Sequence, residues 1–218
     1  MWFRQDLRLT DNPALCAACE RGDIIPVYIL DDEGADGWKM GGASRWWLHQ
    51  ALEDLTNSLR GSLQLFQGDA LTILRDLAVQ TDASAITWNR CYEPWRIARD
   101  AAIKTALKCD GLVVESFNGS LLWEPWQVLK KDGTPYKVFT PYYRRGCLVS
   151  VTPRQPMPVP KNIQIAKNSR QSLSLQGLNL LPKINWDEQM RARWTVSEAA
   201  AQERLDEFVM DELQDYRE

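Results

Sequence analysis

Histidine is almost absent from this 218-residue chain: His49 stands alone. A zinc site or a Ser-His-Asp triad therefore has almost no material, and His49, within the predicted helix RWWLHQALEDL, reads as a packing or surface residue. Cysteine is sparse and unpaired in number. Five residues (Cys16, Cys19, Cys91, Cys109 and Cys147) at scattered spacings argue against a disulfide framework. The one close pair, Cys16-Ala-Ala-Cys19, falls inside a predicted helix with no second pair, so it reads as small buried side chains rather than a redox or metal pair. No metal site is expected. Long apolar runs are missing too. Nothing approaches the ~18 residues of a membrane span, and MWFRQDLRL carries charges where a secretory segment needs continuous apolar residues. These absences imply no membrane partner and a cytoplasmic address. There is no GxGxxG after the first strand and no GxxxxGK[ST], so the usual backbone cradle for a dinucleotide or triphosphate is not encoded.

What is present is ordinary in bulk and uneven in detail. Hydrophobic residues make 44% and charged residues 25%, the proportions of a globular protein. The net charge of −3 hides an acidic tail, since Val196–Glu218 carries 2 basic and 8 acidic residues. Thr152–Arg193 reverses the balance with 7 Lys or Arg against 2 acids, a stretch that either grazes a phosphate backbone or is a solvated linker. Ten tryptophans are many for this length. Trp46, Trp47, Trp88, Trp95, Trp123 and Trp126 lie near predicted element ends, where they either stack on a flat chromophore or pack the core.

Short apolar runs alternate with helical patterns through the first half, the signature of a parallel sheet covered on both faces. The runs at Met1–Phe3, Ile24–Leu30, Leu63–Phe66, Ala85–Trp88 and Leu112–Glu115 predict a five-stranded, Rossmann-like α/β sheet. Helices are predicted from Pro13 with Asp11 or Asn12 as cap, over about Ser44–Leu59, over about Asp69–Ala78, and from Pro94 to about Cys109. Met40–Ser44 offers either backbone donors for an anion or a plain turn and cap. Beyond Glu115 the pattern changes. Tyr136–Cys147 is predicted helical, four prolines from Pro153 to Pro160 mark a linker or an extended wrap, and Thr195–Glu198 fits a capping box for a last helix. That helix carries an apolar stripe of Leu205, Phe208, Val209, Leu213 and Tyr216 that needs a partner. It packs back on the sheet or opens a further domain.

Ligands of open parallel sheets sit beyond the carboxyl ends of the strands where the order reverses. If the fourth strand returns beside the first, the crevice lies between Arg4–Arg8 and Asn89–Trp95, with the loop after Leu30 alongside.

The runs WFRQDLRLTDNPAL, PVYILDD, GASRWWL, WNRCYEPWRIARD, FNGSLLWEP and DGTPYKVFTPYYR resemble the N-terminal domain of the DNA photolyase/cryptochrome family, and the resemblance covers nearly the whole chain. It implies residues 1–130 as an antenna-pigment-binding α/β domain, 131–194 as an interdomain linker, and 195–218 as the first helix of a truncated helical FAD domain. By position it implies pigment contacts at Ile29, Leu30, Asp31, Arg45, Cys91, Tyr92, Glu93, Pro94, Trp95, Arg96 and Arg99. Leu30, Tyr92 and Trp95 would be walls; Asp31, Arg45, Glu93 and Arg99 would be polar anchors. Trp95-Arg96 stands where folate-type members have an Asn-Glu pair, which ranks a deazaflavin or flavin above a folate, with an empty pocket as the alternative. The implied function is the antenna half of a light-driven pyrimidine-dimer lyase. Damaged DNA would be the complete protein's partner, and the chain alone would lack the FAD that does the repair. A cryptochrome photoreceptor and a stand-alone nucleotide- or flavin-binding module are the alternatives.

Overall fold

Each helix of the first half begins where a local signal places it. In the computed structural model, which describes residues 1–32, 39–150, 152–166, 172–213 and 215–217, α1 (Pro13–Arg21) starts on proline with Asn12 accepting from the Leu15 amide at 3.1 Å. Asp69 caps α3 (Ala70–Thr81) through Thr72, and Pro94 opens α4 (Pro94–Cys109). Helix α2 (Gly42–Ser58) has no side-chain cap. Gly42 there serves a close approach instead: a Cβ would stand 3.0 Å from the Trp186 ring.

The strands are β1 (Trp2–Phe3), β2 (Val27–Leu30), β3 (Gln64–Gln67), β4 (Ala85–Asn89) and β5 (Val113–Phe117). All pairings are parallel, yet they do not form the single five-stranded sheet expected from the sequence. β1-β2-β3 make one ladder and β4-β5 another. The cause is the brevity of β1. Two residues pair with β2 before the chain turns polar at Arg4, too short a run to carry a second ladder with β4 along its other edge. Side chains close the seam. Trp2 meets Trp88 edge to face at 5.6 Å, and the Thr87 hydroxyl donates to Ala14 O at 3.0 Å.

Alternation along the strands sends Phe3, Tyr28, Leu30 and Leu65 to a core under α1 and α2, and Trp2, Val27, Ile29, Phe66, Ile86, Trp88 and Val114 to a second core under α3 and α4. After β5 the chain turns back along the domain. Tyr136–Cys147 is not one helix: a short α5 (Phe139–Pro141) passes into a wide π-type turn at Tyr142–Gly146 and a 3-10 turn at Cys147–Val149. Pro141 supplies no ladder donor, and Gly146 presses so close to Val128 that a Cβ would lie 2.5 Å from Cγ1. The proline-bearing segment then straps the α1 and α2 face. Asp11 and Met157 exchange hydrogen bonds, Ile24 bridges Ile165, the Leu173 amide reaches Leu65 O at 2.8 Å, and Leu178 and Leu180 end inside the first core. Helices α6 (Glu188–Arg193) and α7 (Glu198–Glu207) follow, and α7 widens into a π turn at Phe208–Glu212. Leu205, Val209, Leu213 and Tyr216 of the expected stripe are exposed. Among the described residues no helix is long and apolar enough to cross a membrane.

His49 lies in α2, 5% exposed, with no partner for Nδ1 among the described residues. Burial holds its pKa below the ordinary 6.5, nearby Arg191 lowers it further and Glu53 opposes. The folded form is neutral while the unfolded chain takes up a proton near 6.5, so this contribution is complete above that pH and is lost as pH falls below it. The urea midpoint should drop between pH 7 and pH 5.5, and the drop should shrink in His49→Gln. Equal slopes in both proteins would refute the assignment.

Candidate functional site

The carboxyl ends of β1 and β2, the first turn of α4 and the start of α7 enclose a cleft of about 1220 Å³. Its position follows from the seam. Helices α1 and α2 lie on one face and α3 and α4 on the other, so the winding reverses between β1 and β4 and the loops there diverge.

The base of the cleft is a ladder of rings and guanidinium groups. Arg96 lies 4.9 Å from the centre of the Trp95 ring, Arg99 lies between Trp95 (5.1 Å) and Trp2 (5.3 Å), and Arg4 lies 5.1 Å from Trp2. Each guanidinium faces a π surface, an attraction that strengthens as water is excluded. Carboxylates fix the cations. Arg99 pairs with Asp31 at 3.0 Å and with Asp100 at 2.8 Å, Asp100 also pairs with Arg4, and Arg4 donates to Asn89 O. Asn89 completes this buried network by donating to Asp6 (2.6 Å) and Asn12 (2.7 Å) and accepting from the Ala14 amide at 3.2 Å. Burial pushes the Tyr28 phenol up from its ordinary value, so it stays protonated on the cleft wall.

Of the residues singled out by resemblance, Ile29, Leu30, Asp31, Trp95, Arg96 and Arg99 line this cleft. Arg45, Cys91, Tyr92, Glu93 and Pro94 do not. Arg45 turns to Asp32. Cys91 is buried, its thiol pushed up by that burial, with Sγ accepting from Arg96 at 3.5 Å. Tyr92 donates to Glu124 at 2.7 Å, and burial together with that carboxylate pushes its phenol up to about 12. Glu93 accepts from Gln5 at 3.0 Å, and Pro94 is exposed at the helix start. Arg4–Arg8 flank the cleft as the sequence suggested, whereas Asn89 is consumed by the network beneath. Residues 33–38 of the loop after Leu30 lie outside the described residues.

Sequence reasoning missed several walls. Trp2, Tyr28, Asp54 and Trp194 line the same space, and Trp47, one of the tryptophans singled out in the sequence, lines it too and meets Trp194 edge to face at 5.6 Å. The count of tryptophans hinted at Trp2 and Trp194, and nothing in the sequence pointed to Tyr28 or Asp54. Trp46 and Trp88 are core residues, and Trp126 lies on the surface under Arg90 at 5.7 Å.

In doubly wound α/β domains a cleft at the strand-order reversal is where ligands sit. The comparisons narrow this. A family model described as DNA photolyase matches residues 1–161. A deoxyribodipyrimidine photo-lyase of Agrobacterium fabrum is 43% identical over 223 residues, covering 100% of this chain and 46% of the relative. Cryptochrome-1 of Arabidopsis thaliana is 37% identical over 167 residues, covering 75% of this chain and 24% of the relative. The crystal structure of a bacterial class III photolyase from Agrobacterium tumefaciens superposes with a TM-score of 0.88 at 43% identity, over 95% of this chain and 43% of that one. A Synechocystis cryptochrome shares the fold, with a TM-score of 0.85 at 23% identity over 99% of this chain and 47% of that one. The chain belongs to the DNA photolyase family, and it spans less than half the length of the Agrobacterium and Arabidopsis relatives.

Proposed function

We propose that this chain is the light-collecting half of a DNA photolyase. The cleft at the β1/β4 seam holds a flat, conjugated antenna pigment, and FAD and the DNA lesion are handled by the helical part that the longer relatives carry. One observation carries the reading. A cleft of about 1220 Å³ is floored by Trp2 and Trp95 with arginines stacked on both, a surface suited to a planar ligand bearing anionic groups. The buried Arg96 Nε has no partner among the described residues, so the donor set is not saturated by the chain itself.

The pigment, when bound, absorbs light and passes excitation through space, a process that breaks no bond in this domain. The residues therefore bind and orient. Trp95 offers a ring edge or face, Arg96 and Arg99 offer charge, and Leu30 and Tyr28 exclude water from the wall. The ion pairs of Arg99 with Asp31 and Asp100 hold its guanidinium between the two rings, which limits reorientation of whatever lies against it. Stripe residues Leu205, Val209 and Leu213, exposed here, are the face that a helical domain would cover. Repair activity belongs to the assembled protein, and the chain alone should clear no pyrimidine dimers under light with added FAD.

The test is reconstitution. A deazaflavin, FMN and a methenyl-folate are each incubated with the purified chain and passed through gel filtration. One should co-elute with a visible band, and Trp95→Ala should weaken it about tenfold, the scale of one aromatic contact. Failure of all three to co-elute overturns the reading, and the one that persists identifies the pigment class.

A further inference from the structure

The start of α7 does more than begin a helix. Ser197, not Thr195, is the N-cap, its hydroxyl accepting from the Ala200 amide at 3.0 Å. The expected capping box therefore does not close, and the Glu198 carboxylate is free to reach elsewhere. It accepts from the Leu9 amide at 2.7 Å and the Thr10 amide at 2.8 Å, in the loop between β1 and α1. The amide of Glu198 itself donates to Asp54 of α2 at 3.1 Å. One residue thus ties three elements that are three walls of the cleft: the β1–α1 loop, through its neighbours Leu7 and Arg8; α2, through Trp47 and Asp54; and the segment from Trp194 to Ala201. The Trp47–Trp194 pair is a second tie between the last two walls.

An ionised carboxylate on two backbone amides is a charge-assisted, directional contact. It is also the kind of contact that is made in one seating of α7 and lost in others, since both amides belong to a different part of the chain from the helix. A ligand that touches the loop, α2 and the Trp194 segment together binds the seated arrangement and has fewer contacts in any other. Its binding and the seating then favour one another by the same factor, a reciprocity required by linkage.

We infer that Glu198 is a positioning residue for the cleft, acting through the Leu9 and Thr10 amides to set the third wall, so that ligand affinity and the docking of α7 are coupled. The inference rests on the cleft being a ligand site, as proposed above.

The whole chain is used for the test, with the pigment that co-elutes and, independently, anilinonaphthalene sulfonate as a planar anionic probe. In Glu198→Gln the Kd of either should rise about tenfold, within the usual range of coupling between linked sites, while the thermal midpoint changes little. The Leu9 and Thr10 amides should exchange faster in the variant. In the wild type, saturating ligand should slow exchange at those two amides, an effect that a purely structural contact would not show. That arm needs no variant and stands even if Glu198→Gln folds poorly. Unchanged affinity in a folded Glu198→Gln, or wild-type amides indifferent to bound ligand, overturns the clamp alone. A wild type that binds neither pigment nor probe overturns the cleft reading and the clamp with it.

Discussion

Asp100→Ala should lower the stability of this domain by about 3–5 kcal/mol, the scale of removing one partner from a buried ion pair. Asp100 is 8% exposed and takes two arginines, Arg4 on one oxygen and Arg99 on the other. Its loss leaves the Arg4 guanidinium without a carboxylate among the described residues and Arg99 with Asp31 alone. Arg4→Met should cost less, because Asp100 keeps Arg99 on its other oxygen and the added thioether fills part of the space, although Asp100 Oδ2 and Asn89 O both lose the Arg4 donor. Urea unfolding of both variants measures the asymmetry. If Arg4→Met proves as damaging as Asp100→Ala, the carboxylate is not the centre of the network. Asp100→Ala should also weaken pigment binding, since Arg99 then loses one of the two carboxylates that hold it between Trp2 and Trp95.

Gly119→Ala should cost about 3 kcal/mol, from overpacking together with the hydrogen bonds that must break to relieve it. A Cβ at this position would stand 2.6 Å from Asn89 Cγ. Asn89 cannot swing away cheaply, because its amide holds Asp6, Asn12 and the Ala14 amide at once. The double variant distinguishes this cause from a backbone effect. In an Asn89→Gly background, which removes both the Cγ at 2.6 Å and the Cβ at 2.9 Å, the clash is gone, so Gly119→Ala should cost under about 1 kcal/mol there, a clear departure from additivity. Equal costs in both backgrounds would place the strain in the loop itself.

Local signals were legible where one residue acts on its own neighbours. Asn12, Pro13, Asp69 and Pro94 each mark a helix start because capping and proline geometry depend on the adjacent three or four residues alone. The parallel α/β class followed from the alternation of elements. The number of strands in one ladder did not, because it depends on how much backbone β1 has left after Trp2-Phe3, and a run of two residues says nothing of its second edge. At the site, a resemblance transfers positions along the chain and not side-chain directions. Tyr92 finds a carboxylate away from the cleft and Arg45 is taken up by Asp32 of the cleft wall, whereas Tyr28 and Trp2, inside strands and indistinguishable from core residues in the sequence, face it. Glu198 fits a capping box in the sequence; that its carboxylate instead bonds residues 188 and 189 positions upstream is invisible without the fold.

The strap over the α1 and α2 face sets an order on synthesis. Leu178 and Leu180 pack beside Leu15, Leu52 and Leu63, Met157 and Leu173 bond to Asp11 and Leu65, and Gln164 and Ala166 bond to Ile24. A nascent chain that has already emitted all five strands still lacks the residues that close this side, and it must wait for more than fifty further amino acids to leave the ribosome. Until then the first core is open along one flank, while the core under α3 and α4 is complete. The second face of the sheet is therefore the one expected to fold first, and the older half of the chain is finished by its younger end.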